Sequence, residues 1–263
     1  MRLKLVPPRQ GMAWVRQGLH VFFQRPIAFC ALFFIYVFIG PMLMMAVAPL
    51  ASVGFMIATR QALDGRFPFA SVFIEPLQGP ASRRWAQIQL GLAYALAVAL
   101  VFWVADAVGG AAFDALRQAI GEGKSTPEEL QPLLSDSSLQ FGWFLLAGGI
   151  ALLAIPFWHA PALVHWDGQT AIKALFFSTV ACWRNKGALT VYVLAWGTVI
   201  LVFAFVMTML FALMGMPQAA FVASTPAVLM LSAAFYASLY FTFADSFEAS
   251  PDAASLPPAQ ETA

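Results

Sequence analysis

The chain is 263 residues long, carries a net charge of +1, and is 61% hydrophobic with only 10% charged residues. A soluble domain carries about 25% charged residues, and a soluble fold of this size could not cover so much apolar surface with polar groups. The composition excludes an ordinary soluble domain, and the small net charge argues against nucleic acid as a partner.

The opening MRLKLVPPRQ is basic. The first apolar run starts late and lacks a small-residue cleavage site, so no cleavable signal peptide is expected and the first helix stays as an anchor. Residues 11–25 read as an amphipathic helix in the membrane interface. Arg16, His20 and Gln24 recur every four residues, with Val15, Leu19, Phe22 and Phe23 elsewhere on the wheel.

Next come 34 uncharged residues between Arg25 and Arg60. One helix of that length would measure about 51 Å, against a hydrocarbon core of about 30 Å. Two crossings, at 26–40 and 42–60, fit better, with Gly40-Pro41 as the break. A third crossing is expected at 84–107, where 21 uncharged residues separate Arg84 from Asp106. Residues 108–137 form the long acidic loop. Gly109-Gly110 reads as a turn signal there, and two short helices are expected, at FDALRQAI and after the capping box of Ser125 and Glu128.

The fourth crossing, 139–163, ends in PFWHAPALVHWDG. Pro156 and Pro161 should kink or unwind it. A second interfacial segment, 169–185, mixes Ile172, Leu175, Phe176 and Val180 with Lys173 and Arg184. The 58 uncharged residues from Gly187 to Ala244 make two more crossings, 187–213 and 219–245, joined near Met214–Pro217. The tail, 249–263, is expected to be disordered and cytoplasmic. The fold class is therefore an all-α polytopic bundle of six transmembrane helices with amphipathic interfacial helices.

Six crossings place 12 of the 14 Lys and Arg residues on one side, leaving only Arg117 and Lys124 in the opposite loop. By the positive-inside rule that side, with both termini, is cytoplasmic. An odd count would place Arg60, Arg83 and Arg84 on the wrong face.

The sequence contains no HExxH, GxSxG or P-loop pattern, and no carboxylate pair sits inside a span. A non-enzymatic protein is expected, and no cofactor. Cys30 and Cys182 lack CxxC spacing and read as small core residues. The polar residues that could serve a function are His159, His165 and Asp167 at the end of the fourth helix, and Ser238, Thr242 and Asp245 along the sixth. Broken helices can build transport sites, and two histidines can bind metal or haem iron. The same residues suit an aromatic belt with polar tips. Asp106 and Asp245 both read as lying at helix ends.

GFMIATRQALDGRFP (54–68), FWHAPALVHWDG (157–168), LFFSTVACWRNKGALTVYVLAWG (175–197) and FYASLYFTFAD (235–245) together resemble a family of uncharacterised multi-pass inner-membrane proteins of Gram-negative bacteria. The resemblance covers nearly the whole chain, though this chain is shorter around 40–48. It implies a membrane location and no activity. There is a looser similarity to the membrane domain attached to some glycerophosphodiester phosphodiesterases, but no phosphodiesterase domain is present. The leading functional expectation is an envelope accessory, lipid-interacting or scaffold protein that meets anionic lipid headgroups at the cytoplasmic face. A small transporter or channel component and a haem- or metal-binding membrane protein are the alternatives.

Overall fold

The computed structural model describes residues 1–38, 41–124, 127–216 and 219–248. The breaks expected at Gly40-Pro41 and Pro217, the Ser125 capping box and the tail 249–263 fall wholly or partly outside these residues. A short strand β1 (Arg2–Leu3) leads into helices α1 (Gln10–Gln24), α2 (Pro26–Phe38) and α3 (Pro41–Leu63). Two 3-10 turns, Ala70–Phe73 and Glu75–Leu77, precede α4 (Ala81–Gly121). Then follow α5 (Pro127–Leu134), α6 (Ser137–Phe157), α7 (Ala160–Asp167), α8 (Ala171–Arg184), α9 (Lys186–Leu213), α10 (Ala219–Ser246) and strand β2 (Phe247–Glu248).

The number of crossings follows from the two strands. β1 pairs antiparallel with β2, Arg2 opposite Glu248 and Leu3 opposite Phe247. The first strand and the end of α10 therefore lie on one face, and the chain crosses an even number of times. Five helices or joined helices are long and apolar enough to cross alone. Parity gives the sixth crossing to α2, although its 13 residues span only about 20 Å. The chain turns by 100° between α1 and α2, so α1 lies across the bundle and α2 runs along it. The face holding β1, β2, Arg60, Arg83, Arg84 and Lys186 is called the basic face below.

One boundary differs from that expected. α4 does not stop at 107 but continues to Gly121, 41 residues and about 61 Å. FDALRQAI is its last turns, not a separate helix. Gly109 and Gly110 sit inside it, because Gly109 serves packing. A Cβ there would lie 3.1 Å from the Ser138 carbonyl oxygen, and one on Gly142 of α6 would lie 3.4 Å from the Gly109 Cα. A glycine inside a helix costs about 1 kcal/mol relative to alanine, and the close helix crossing offsets it. Asp106 is consequently mid-helix. The fourth crossing is interrupted near the prolines, as expected: it is two helices, α6 and α7, with the break at Trp158-His159.

The core lies toward the basic face. One buried cluster gathers Trp14, Phe22, Phe29, Phe33, Phe55, Tyr192 and Trp196 from α1, α2, α3 and α9. The other gathers Met56, Leu90, Leu163, Val164, Leu239 and Phe243 from α3, α4, α7 and α10. Gly91 lets α4 approach α3 closely, since a Cβ there would meet the Ala46 carbonyl oxygen at 2.5 Å. Farther from the basic face, α9 shows large apolar side chains such as Leu201, Phe205 and Leu213 at its surface, as a lipid-facing helix should.

Candidate functional site

The α6–α7 break has a specific cause. The Ser178 hydroxyl of α8 accepts from the His159 N–H (3.0 Å) and donates to the Ile155 carbonyl (3.1 Å). Those two groups would bond each other in an unbroken helix. Pro156 already weakens the turn, and the inserted hydroxyl satisfies both freed groups, as a buried break requires. The Cys182 thiol donates to the same Ile155 carbonyl (3.4 Å). Burial pushes that thiol up to about 12, so it stays protonated.

Beyond the break, His159 is fully buried, its ring between Phe243 and Phe247 (centroids 6.0 and 5.4 Å). Its Nδ1 has no partner. His165 lies two residues before the end of α7, with Nε2 3.9 Å from Glu75. Asp167 accepts from the Met1 amino group (2.8 Å) and from Gln169 (2.7 Å). The two histidines do not share a ligand position, and among the described residues no group of three His, Cys, Asp or Glu could hold a metal ion.

The three polar residues of α10 tie helices together. Ser238 meets the Tyr192 hydroxyl at 2.6 Å, accepts from Trp196 Nε1 (3.3 Å) and donates to the Phe235 carbonyl (2.6 Å). One turn on, Thr242 accepts from Trp158 Nε1 (3.1 Å) and donates to the Leu239 carbonyl (2.8 Å). Trp158 and Tyr192 touch edge to face (5.9 Å), so Ser238 and Thr242 belong to one aromatic-walled seam. Asp245, a turn closer to the basic face, accepts from Gln10 Nε2 and Trp14 Nε1 of α1, each at 2.7 Å. The sequence expectation of a single cluster thus resolves into separate ties, each joining α7 or α10 to a different neighbour.

Sequence reasoning missed the residues that complete this layer. Asn185 is buried; its Oδ1 accepts from Val6 N–H, and its Nδ2 donates to the Lys4 carbonyl and the Ser246 hydroxyl. Gln87, also buried, donates to the Pro161 carbonyl (2.8 Å). Lys4 and Glu248 pair at 2.9 Å on the surface. That contact raises the lysine above its usual range and lowers the carboxyl below its own. The one available signal was a lone polar residue, Ser178 or Asn185, on the apolar side of an amphipathic stretch.

This architecture has a relative. A probable inner membrane protein of Burkholderia thailandensis is 32% identical to the chain over 270 residues, covering 98% of each. The chain belongs to that inner-membrane protein family. No protein-family model matches it, and no solved structure does so significantly. The match extends over nearly the full length of both chains.

Two clefts flank α10. One, of about 260 Å³, lies between α3, α4, α6 and α10 and is lined by Pro49, Ser52, Tyr94, Phe157 and Trp158. The other, of about 410 Å³, lies between α2, α9 and α10, with Tyr36, Trp196 and Phe203 in its wall. Phe235 and Tyr236 border both.

Proposed function

We propose that this family member is a non-enzymatic, lipid-interacting component of the inner membrane, with its basic face and both termini in the cytoplasm. The carrying observation is the outward face of α8. Ile172, Phe176 and Trp183 are 82%, 63% and 71% exposed, beside Lys173, Arg184 and Lys186. Such a face suits the boundary between acyl chains and headgroups. Around it, Arg9, Arg16, Arg60, Arg84, Lys173 and Arg184 make no salt bridge among the described residues, whereas Arg117 and Lys124 on the other side are paired with Asp114 and Glu122. Unpaired cations on one face attract anionic lipid at about 1 kcal/mol each.

The full chain is to be reconstituted in nanodiscs of phosphatidylcholine with or without phosphatidylglycerol. The anionic lipid is expected to raise the melting temperature, and Lys173→Gln with Arg184→Gln to remove most of that rise. A melting temperature indifferent to phosphatidylglycerol would sink the proposal.

A transporter or channel component is the second reading, and the two clefts meeting at Phe235 and Tyr236 favour it. It predicts that Tyr236→Ala opens a solute leak in proteoliposomes; vesicles as tight as those with the unaltered protein would remove it.

A further inference from the structure

On the side away from the basic face, α4 and α6 enclose a cleft of about 620 Å³. Its walls include Trp103, Phe113, Leu116, Trp143 and Leu146, and its carboxylate is Asp106. The Gly109–Gly142 crossing fixes the floor. Phe113 lies across both glycines, where a Cβ would sit 3.0 or 2.9 Å from its ring, and meets Trp143 edge-on at 5.5 Å. The Asp106 carboxylate projects over Gly110, where a Cβ would come within 3.4 Å of it.

The depth of this site follows from helix geometry. α4 rises about 33 Å from Arg84 to Asp106, against a hydrocarbon core of about 30 Å. Asp106 therefore stands at the far headgroup boundary, and Trp103 and Trp143 stand at the level of an aromatic belt.

Five charged residues on the same side are engaged with partners. Asp114 pairs with Arg117 at 2.6 Å, Glu122 takes Lys124 and Gln118 at 3.0 Å, and Asp136 caps α6 through the N–H groups of Ser138 and Leu139. Asp106 has no hydrogen-bond or ion-pair partner among the described residues. The cleft thus offers one unmatched negative charge among aromatic faces. Its only cation among the described residues, Arg117, is already engaged.

We propose that this α4–α6 cleft binds a monovalent amphiphilic organic cation, its ammonium group against Asp106 and the rings of Trp103 and Trp143, its apolar tail along Leu116 and Leu146. The ring faces attract a weakly hydrated ammonium, while a divalent metal would need six or more oxygen ligands. A zwitterionic lipid is a poorer fit, because its phosphate would find no free cation in the cleft.

The test uses the full-length protein in phosphatidylcholine nanodiscs and three probes with the same ten-carbon tail. These are decyltrimethylammonium, decylphosphocholine and decyl maltoside, each measured by calorimetry against empty nanodiscs. Saturable binding of the ammonium probe alone is expected. It should weaken at least tenfold in Asp106→Asn, weaken severalfold in Trp143→Leu, and persist in Asp106→Glu. Asp106 has no partner among the described residues, so its substitution is expected to leave the fold intact. Equal binding of the phosphocholine probe would reassign the cleft to a lipid headgroup, and unchanged binding in Asp106→Asn or no saturable binding would overturn the proposal.

Discussion

α1 and α8 look alike in the sequence, as basic amphipathic stretches each followed by a membrane hairpin, yet they spend their apolar residues in opposite directions. α1 turns Trp14, Val15, Val21 and Phe22 inward onto α9 and α10 and leaves Arg16, His20 and Gln24 outside. α8 turns small residues inward, Ala171, Ala174, Ser178 and Ala181, and leaves Ile172, Phe176 and Trp183 outside. Amphipathicity alone does not say whether an apolar face meets protein or lipid. Residue size does better here: helices approach closely through small side chains, and the large ones are left on the outer surface. The lipid contact expected of residues 11–25 is accordingly proposed for α8, because most of the apolar face of α1 is already occupied.

The largest way to break this comparison is at the α1 seat. A Cβ on Gly18 would lie 2.2 Å from that of Ser238, so Gly18→Leu is expected to undock α1 and abolish a cooperative thermal transition in detergent. Trp14→Ala comes next. Trp14 is fully buried and donates to Asp245, and truncation of such a residue costs about 3–5 kcal/mol, read as a lowered denaturation midpoint.

The inner face of α8 gives a smaller, pH-dependent signal. With the Cys182 thiol pushed up to about 12, very little thiolate is present at pH 8. Maleimide labelling should be negligible at neutral pH and rise tenfold per pH unit toward that value. The variant Ser178→Leu should make it fast at pH 8 by displacing α8. The smallest effect is expected at Ile172→Ser, within about 0.5 kcal/mol of the unaltered stability, although the phosphatidylglycerol-dependent rise should shrink. A large loss in detergent would mean that α8 packs its large residues against protein.

Charge-free intervals made the crossings legible, because a charge is costly in hydrocarbon and therefore marks an edge. The same logic misread α4. Asp106 looked like an edge, and Gly109-Gly110 like a turn, since nothing local distinguishes a glycine that ends a helix from one that admits a neighbour. The prolines located the fourth-helix break to within a few residues, but the hydroxyl that stabilises it comes from Ser178, 19 positions after His159. The polar candidates failed as one cluster for a similar reason. Helical spacing placed Ser238, Thr242 and Asp245 on one face, and it could not reveal that Tyr192, Trp158 and Trp14 arrive from three different elements to consume them.

The pairing of β1 with β2 and the seating of α1 on α9 and α10 also govern how the molecule is made. The first helix synthesised has its partners in the last two. At about 5–20 residues per second, translation needs roughly ten to forty seconds to reach the end of α10 after α1 has emerged. Throughout that interval Trp14 lacks its partners Tyr192 and Asp245. α1 must wait on the bilayer surface, where an amphipathic helix is stable without a partner, and ribosome-bound chains ending before Ala219 are expected to leave it open to protease. Closure of the bundle is thus the final event of biogenesis, and the membrane itself acts as the holding station for the opening segment.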